Sequence, residues 1–291
     1  MQFYPVNKMI YTRSDLEKKI NNAIDEIQWN LSPQNLYDPI RYVLSGGGKK
    51  LRPILTLMAT NLFSDGIDLS IPPAIGIEIF HNFTLLHDDL MDRADMRRGN
   101  PTVHKIWGNN AAILSGDAML IQAYMYIANV PINVLPEVLS VFSKTAMEVC
   151  QGQQYDMDFE KRMDVTEAEY MEMIRLKTAV LIACSLKIGA IMGKASANDS
   201  DLLYRFGINI GMAFQLKDDL LDAEGDTTLL GKSAGKDIQN NASTFVTILG
   251  PQKARIEMWN HYCEALEILK EVSCDTVFLK QMLHYIVNRD H

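Results

Sequence analysis

Apolar residues recur at helical spacing along almost the whole chain, and few stretches alternate as strands do, so the pattern predicts an all-α protein. Ser14-Asp15-Leu16-Glu17 has the form of a capping box and opens a helix toward Trp29. A second helix covers 37–44 and stops at Gly46-Gly47-Gly48. A third begins near Pro53, a residue suited to a first helical turn, and runs to Phe63. Pro72-Pro73 open a long apolar helix that ends at Asp88-Asp89-Leu90-Met91-Asp92, and a polar, basic loop follows over 93–101. Helices are expected at 110–128 and 136–160. Thr166-Glu167-Ala168-Glu169 repeats the capping-box form and leads a long helix to Met192. The next runs over 199–222. Residues 223–241, rich in Gly, Asp, Lys and Asn, read as a long loop of the kind that often covers an active site. Two or three helices close the chain. No linker, low-complexity tract or convincing repeat interrupts it, so a single domain over 1–291 is expected.

The polar residues that break into the apolar runs carry the chemistry. Asp88-Asp89-Leu90-Met91-Asp92 has a second copy in Asp218-Asp219-Leu220-Leu221-Asp222. Residues four apart on a helix share a face, so Asp88 stands over Asp92 and Asp218 over Asp222. Carboxylates stacked beside apolar sequence repel one another unless a cation neutralises them. Oxygen ligands with no Cys beside them suit Mg²⁺, which takes one or two carboxylates together with substrate phosphates. Two such motifs, facing each other, make a multi-magnesium cradle for a diphosphate.

Composition narrows the partner. A net charge of −8 argues against nucleic acid, which calls for a basic face. With 47% hydrophobic and 22% charged residues the chain can bury a core and is not disordered. Cys150, Cys184, Cys263 and Cys274 have neither metal-ligand spacing nor a pairing pattern and fit a reducing compartment, the cytoplasm. Residues 1–11 lack the apolar core of a signal peptide. Residues 118–136 carry no charge, but Gln122, Asn129, Pro131 and Asn133 favour a buried helix and a loop over a membrane span.

The cations that matter are therefore local. Gly46-Gly47-Gly48-Lys49-Lys50-Leu51-Arg52-Pro53 sets three of them at a helix entrance, which is either a solvated helix start or a place where backbone amides and the helix dipole favour an anion. Arg97-Arg98-Gly99 follows the first aspartate motif, and arginine forks suit phosphate oxygens. Lys177-Thr178 stands among Leu176, Ala179, Val180 and Leu181; its lysine either snorkels to the surface or faces a buried phosphate. His81, seven residues before Asp88, shares that face; an isolated histidine on an apolar helix is usually a core residue, as with His87 and His104. Lys232 and Lys236 fall in the long loop.

Together these motifs resemble the trans-isoprenyl diphosphate synthases, the polyprenyl synthetase family of head-to-tail prenyltransferases. The resemblance runs from about Leu44 to the carboxyl end and includes Gly152-Gln153, Phe214-Gln215 and Gly231-Lys232. It implies an isoprenoid-synthase helical bundle with a central active-site cavity, working as a homodimer. It implies three Mg²⁺ per site: two on Asp88 and Asp92, a third on Asp218 with help from Asp222. Arg97, Lys177 and Lys232 then hold an allylic diphosphate (dimethylallyl, geranyl or farnesyl). Lys49, Arg52, His81 and Arg98 hold isopentenyl diphosphate, while Thr178 and Gln215 lie near the reacting carbons. Asp88, Asp92, Asp218, Lys177 and Arg97 are the residues expected to carry catalysis. One position departs: the family's loop lysine five residues after the equivalent of Asp237 is Ala242 here, which Lys236 could cover. Product length is expected to be set by Phe80, Phe83 and Thr84, one to two turns below Asp88. An aromatic Phe83 points to a C20 geranylgeranyl product, with C15 farnesyl next. The competing readings are a class I terpene cyclase and a non-catalytic partner subunit of another prenyl synthase. The first has no need of a second aspartate motif, and the second would be expected to lose them.

Overall fold

The computed structural model describes residues 11–224 and 245–288 and is helical almost throughout. Its elements are α1 (Arg13–Asp25), α2 (Gln34–Ser45), α3 (Leu51–Phe63), α4 (Ile71–Met91), the strands β1 (Met96–Arg97) and β2 (Asn100–Pro101), α5 (Val103–Trp107), α6 (Asn109–Ile127), α7 (Leu135–Phe159), α8 (Glu167–Ile174), a π-helical turn (Arg175–Ala179), α9 (Val180–Met192), α10 (Ala197–Glu224), α11 (Phe245–Leu249), α12 (Pro251–Glu271) and α13 (Val277–Val287). The all-α expectation holds. The long loop expected over 223–241, with Lys232, Lys236 and Ala242 nearby, lies outside the described residues apart from its first two positions.

The chain separates into two compact units, Met1–Leu139 with Ile191–Lys194, and Ser140–Ala190 with Ala195–His291. In the first, α4 is apolar nearly all round, with Ile75, Ile77, Ile79, Phe80 and Phe83 buried, and it packs along α6. Two glycines allow the close approach. A Cβ on Gly76 would lie 2.9 Å from the Ala123 carbonyl, and one on Gly116 would lie 2.1 Å from the His87 ring. In the second unit α10 packs along α12, and Gly207 and Gly211 bring it against α9 and the π-turn.

Several expectations are revised in detail. The first capping box is Thr12 with Asp15, two residues earlier than expected: Asp15 N–H donates to Thr12 Oγ1 (3.2 Å) and Thr12 N–H to Asp15 Oδ2 (3.0 Å). The buried stripe of Leu16, Ile20 and Ile24 is compatible with either frame, so periodicity could not choose between them. The helix also stops at Asp25, short of Trp29. The loop after the first aspartate motif contains a two-residue β-hairpin, because Arg98 (φ 51°) and Gly99 (φ 79°) both take the left-handed conformation that such a turn requires. The uncharged stretch that includes α6 is not fully buried: Ile121 and Met125 are 64% and 61% exposed. The helix expected to run unbroken to Met192 is interrupted by the π-turn at Lys177 and Thr178. The second capping box is found as expected, with Glu169 N–H on Thr166 Oγ1 and Thr166 N–H on Glu169 Oε2. Among the described residues no helix is long and apolar enough to cross a membrane.

Candidate active site

In the first unit the end of α4, the glycine turn before α3 and the β-hairpin meet. Asp88 is half-buried, and its Oδ2 accepts from an Arg97 terminal nitrogen at 3.1 Å. Asp89 points elsewhere: it is 6% exposed, and its Oδ1 accepts from Arg97 Nε at 2.7 Å. Burial raises the Asp89 carboxyl above the ordinary aspartate value, and Arg97 draws it back. Asp92 caps α4 in an exposed position, its N–H on the Asp88 carbonyl. Arg97 thus has its guanidinium locked against the first motif by two neighbouring carboxylates.

A basic cluster stands beside it. An Arg52 terminal nitrogen lies 3.2 Å from His81 Nε2. Burial, and the charges of Arg52, Arg98 and Arg97, hold the His81 imidazole well below its usual value, so it is neutral and accepts from Arg52. Burial also pulls the Arg52 guanidinium down to about 10, still charged at neutral pH, with buried Glu78 supporting the charge. Arg52 Nε is enclosed and has no hydrogen-bond partner, so a buried donor waits for an acceptor. Arg98 reaches back from the hairpin to the Gly47 carbonyl. Gly48, at φ 133°, leaves the room for it, since a Cβ there would come within 2.8 Å of the guanidinium. Lys49 is exposed on the same turn, and Lys50, at φ 41°, starts α3. A cleft of about 180 Å³ opens alongside, lined by Gly46, Asn82, Asp89, Arg97 and Arg98 among others. Of the residues expected to act together, Arg52, His81 and Arg98 therefore stand close to one another within one unit, with Lys49 on the adjoining turn. Of the expected chain-length residues, Phe80 and Phe83 are buried, their centroids 5.5 Å apart, and Phe83 meets the His87 ring edge-on at 4.8 Å. Thr84 is half-buried, its hydroxyl on the His81 carbonyl.

The second unit holds the rest. Asp218 and Asp222 share a face of α10 and are half-buried. Lys177 Nζ pairs with Asp156 Oδ2 of α7 at 2.5 Å. Thr178 Oγ1 donates to Gln215 Oε1 at 3.1 Å. Lys177 and Thr178 stand on the π-turn, and glycines wedge that turn from two sides. A Cβ on Gly152 would lie 2.3 Å from the Lys177 nitrogen, and one on Gly211 would lie 2.4 Å from the Ala179 Cα. Single π-turns inside helices recur at functional sites, because the extra residue re-aims the side chains that follow. Asp219, like Asp89, is buried; it accepts from Tyr170 Oη (2.7 Å), Gln215 Nε2 (3.0 Å) and the Phe245 N–H (3.2 Å). Lys232 lies outside the described residues. The reading from sequence missed Asp156, Asp89, Asp219, Tyr170 and the steric role of Gly152. Asp156 had a signal: it follows Gly152 by four residues and so shares its face of α7.

The donor set suits magnesium. The outer aspartates of each motif share a helix face and offer only oxygen, His87 beside Asp88 sets its Nε2 3.3 Å from the Ile113 carbonyl, and the middle aspartates are taken up by the protein. Among the described residues no three carboxylate, His or Cys side chains gather closely enough to enclose a metal by themselves.

The polyprenyl synthetase family model matches residues 33–284. The chain belongs to the polyprenyl synthetase family. A geranylgeranyl diphosphate synthase of Methanosarcina mazei is 43% identical over 232 residues, 79% of this chain and 71% of that one. A geranylfarnesyl diphosphate synthase of Natronomonas pharaonis is 38% identical over 247 residues, 79% of this chain and 72% of that one. A solved structure of a geranylgeranyl pyrophosphate synthase superposes with a TM-score of 0.89 at 36% identity, covering 97% of this chain and all of that one. The helical-bundle synthase fold implied by the motifs is thus the fold of the chain.

Proposed function

We propose that this polyprenyl synthetase condenses isopentenyl diphosphate with an allylic diphosphate and stops at the C20 product, geranylgeranyl diphosphate. The reaction class, short-chain trans-prenyl transfer, follows from the family and from relatives named for geranylgeranyl and geranylfarnesyl products; a terpene cyclase or an inactive subunit is not favoured. The observation that carries the reading is the cluster of Arg52, His81 and Arg98 beside the first aspartate motif. This cationic cluster, with its enclosed and partnerless Arg52 Nε, supports a second diphosphate beside the one that the aspartate motifs serve, and a cyclase, which takes a single allylic diphosphate, has no reason to bind a second.

Lys49, Arg52, His81 and Arg98 hold the diphosphate of isopentenyl diphosphate, His81 entering neutral so that its ring adds no charge to a crowded cationic site. Asp88 and Asp92 would hold two Mg²⁺, and Asp218 with Asp222 would hold a third, the ion that polyprenyl synthetases use. When bound, the metal neutralises the charge that builds on the departing diphosphate. Arg97, Lys177 and Lys232 grip the same allylic diphosphate, and Asp156 keeps Lys177 in place before substrate arrives. Thr178 and Gln215 present oxygen atoms to the carbon that loses the diphosphate. The double bond of isopentenyl diphosphate attacks that carbon, and the departed diphosphate takes the proton. Apolar walls keep water from the cation. Phe83, backed by Phe80, closes the tail channel, with Thr84 beside it.

Residues 1–291 act as one synthase domain, and two copies pair through the exposed apolar face of α6, Ile113, Leu114, Ile121 and Met125. A monomer mass in light scattering would count against that pairing. A cytoplasmic location belongs to the same reading, supported by four cysteines none of which is in a disulfide. The experiment is substitution of each motif in turn. Asp88→Ala and Asp218→Ala should each lower turnover by orders of magnitude with the circular dichroism spectrum retained, and near-normal turnover in both would sink the reading.

A further inference from the structure

We infer that Asp219 is a positioning residue and not a metal ligand: anchored by Tyr170, it fixes which end of the Gln215 amide faces Thr178. Asp219 is 5% exposed. Its Oδ2 accepts from Tyr170 Oη at 2.7 Å and from the Phe245 N–H at 3.2 Å, and its Oδ1 accepts from Gln215 Nε2 at 3.0 Å. These three donors nearly exhaust a carboxylate's acceptor sites, and all of them are protein. Burial and the neighbouring carboxylate push the Tyr170 phenol well above its usual value, so it stays a donor. Asp218 and Asp222 stand differently, half-buried on a shared face of α10.

A carboxylate only accepts, so Asp219 draws the amino end of Gln215 and leaves the carbonyl end for Thr178, whose hydroxyl donates to it at 3.1 Å. Thr178 has one hydroxyl hydrogen, and with that hydrogen spent its oxygen presents lone pairs elsewhere. Two oxygens, Gln215 Oε1 and Thr178 Oγ1, then offer negative partial charge at one place. The inference rests on the reading that these two lie beside the reacting carbons. A carbon becoming positive there meets dipoles already turned the right way, with nothing left to reorganise. With the amide reversed, the carbon would meet the positive amino end.

The test uses Asp219→Asn in the full-length enzyme. The new side chain must keep its oxygen toward Tyr170 and the Phe245 N–H, so its amino group faces that of Gln215. Two donors cannot bond, and Gln215 must turn over. Turnover should fall about tenfold or more, in the range for loss of a preorganised dipole. The Mg²⁺ half-saturation and the KM of both diphosphates should stay within about twofold, because no binding group has moved. Calorimetric binding of an unreactive allylic thiodiphosphate with Mg²⁺ should likewise be unchanged. The double variant Asp219→Asn with Gln215→Glu should recover most of the lost turnover, since the new carboxylate accepts from both the asparagine and Thr178. Gln215→Glu alone sets two carboxylates together and should not recover. Thermal melts report whether each variant folds. If Asp219→Asn does not fold, Tyr170→Phe replaces it, with a smaller loss of turnover and the same unchanged Mg²⁺ response expected. Weakened Mg²⁺ or thiodiphosphate binding, or a loss that the double variant fails to restore, overturns the inference. Wild-type enzyme that does not condense the substrates defeats the functional reading itself. Wild-type condensation with an indistinguishable Asp219→Asn defeats this inference alone.

Discussion

Gly152→Ala is the sharpest steric probe of how Lys177 is placed. A Cβ at Gly152 would lie 2.3 Å from the Lys177 nitrogen, 2.7 Å from the Leu176 carbonyl carbon and 2.7 Å from the Lys177 Cα, whereas ordinary contact begins near 3.4 Å. All three atoms are backbone, so no flexible side chain can swing aside, and the π-turn must retreat by about 1 Å. Overpacking of this kind costs about 1–3 kcal/mol of stability. Displacing a catalytic group by about 1 Å costs on the order of a hundredfold in turnover. Lys177 would shift relative to Asp156 and to the allylic diphosphate, so both turnover and the allylic KM should suffer. Gly193→Ala is the control: its Cβ would meet the Thr60 carbonyl oxygen at 2.8 Å and the Phe63 Cβ and Thr60 Cα at 3.2 Å, a milder overpacking against α3 instead of the π-turn. The assay pairs chemical denaturation with steady-state kinetics on both variants. Both variants should lose stability, Gly152→Ala more, and turnover should fall only in Gly152→Ala. Gly152→Ala kinetics matching those of Gly193→Ala would refute the idea that this contact places Lys177.

Two further expectations concern the first unit. Phe83→Ala should lengthen the longest product by at least one isoprene unit, because removing an aromatic ring from a packed wall leaves a cavity that does not fully collapse. Thr84→Phe should shorten it; chromatography after phosphatase treatment reads both, and an unchanged product in two active variants would move the ruler elsewhere. His81 has a depressed folded-state pKa, so it binds its proton more readily when unfolded. Its contribution to stability is present above the ordinary histidine value and is lost as pH falls through that value toward the folded one, with a slope of at most about 1.4 kcal/mol per pH unit. Denaturation of wild type and His81→Asn from pH 7.5 to 5 should show part of the wild-type slope missing in the variant; parallel curves would mean that His81 is not held neutral. His261, also depressed by burial, is common to both proteins and cancels in the comparison.

What the sequence disclosed and what it hid have separate physical origins. Element type was legible because long apolar runs at helical period leave little choice, as in α4, α7 and α10. The nearness of Arg52, His81 and Arg98 was legible because each belongs to a motif that the resemblance already grouped, and the three do come together. Frames and exceptions were not. Thr12 and Ser14 each precede an acid by three residues, and only geometry selects Thr12 as the cap. The π-turn adds one residue to a helix whose apolar pattern on either side is continuous, so nothing in the spacing betrays it. The hairpin rests on Arg98 accepting a left-handed conformation, which composition does not reveal. Within each aspartate motif three identical side chains look alike in sequence. Burial separates them, sending Asp89 to Arg97 and Asp219 to Tyr170 and Gln215.

The most direct test of the account is incorporation of radiolabelled isopentenyl diphosphate by the purified protein with Mg²⁺ and each allylic primer: dimethylallyl, geranyl and farnesyl diphosphate. The account predicts Mg²⁺-dependent incorporation that ends at a 20-carbon all-trans prenyl diphosphate and is abolished by chelator. No incorporation with any primer, or a cyclised hydrocarbon formed from an allylic diphosphate without isopentenyl diphosphate, would contradict it.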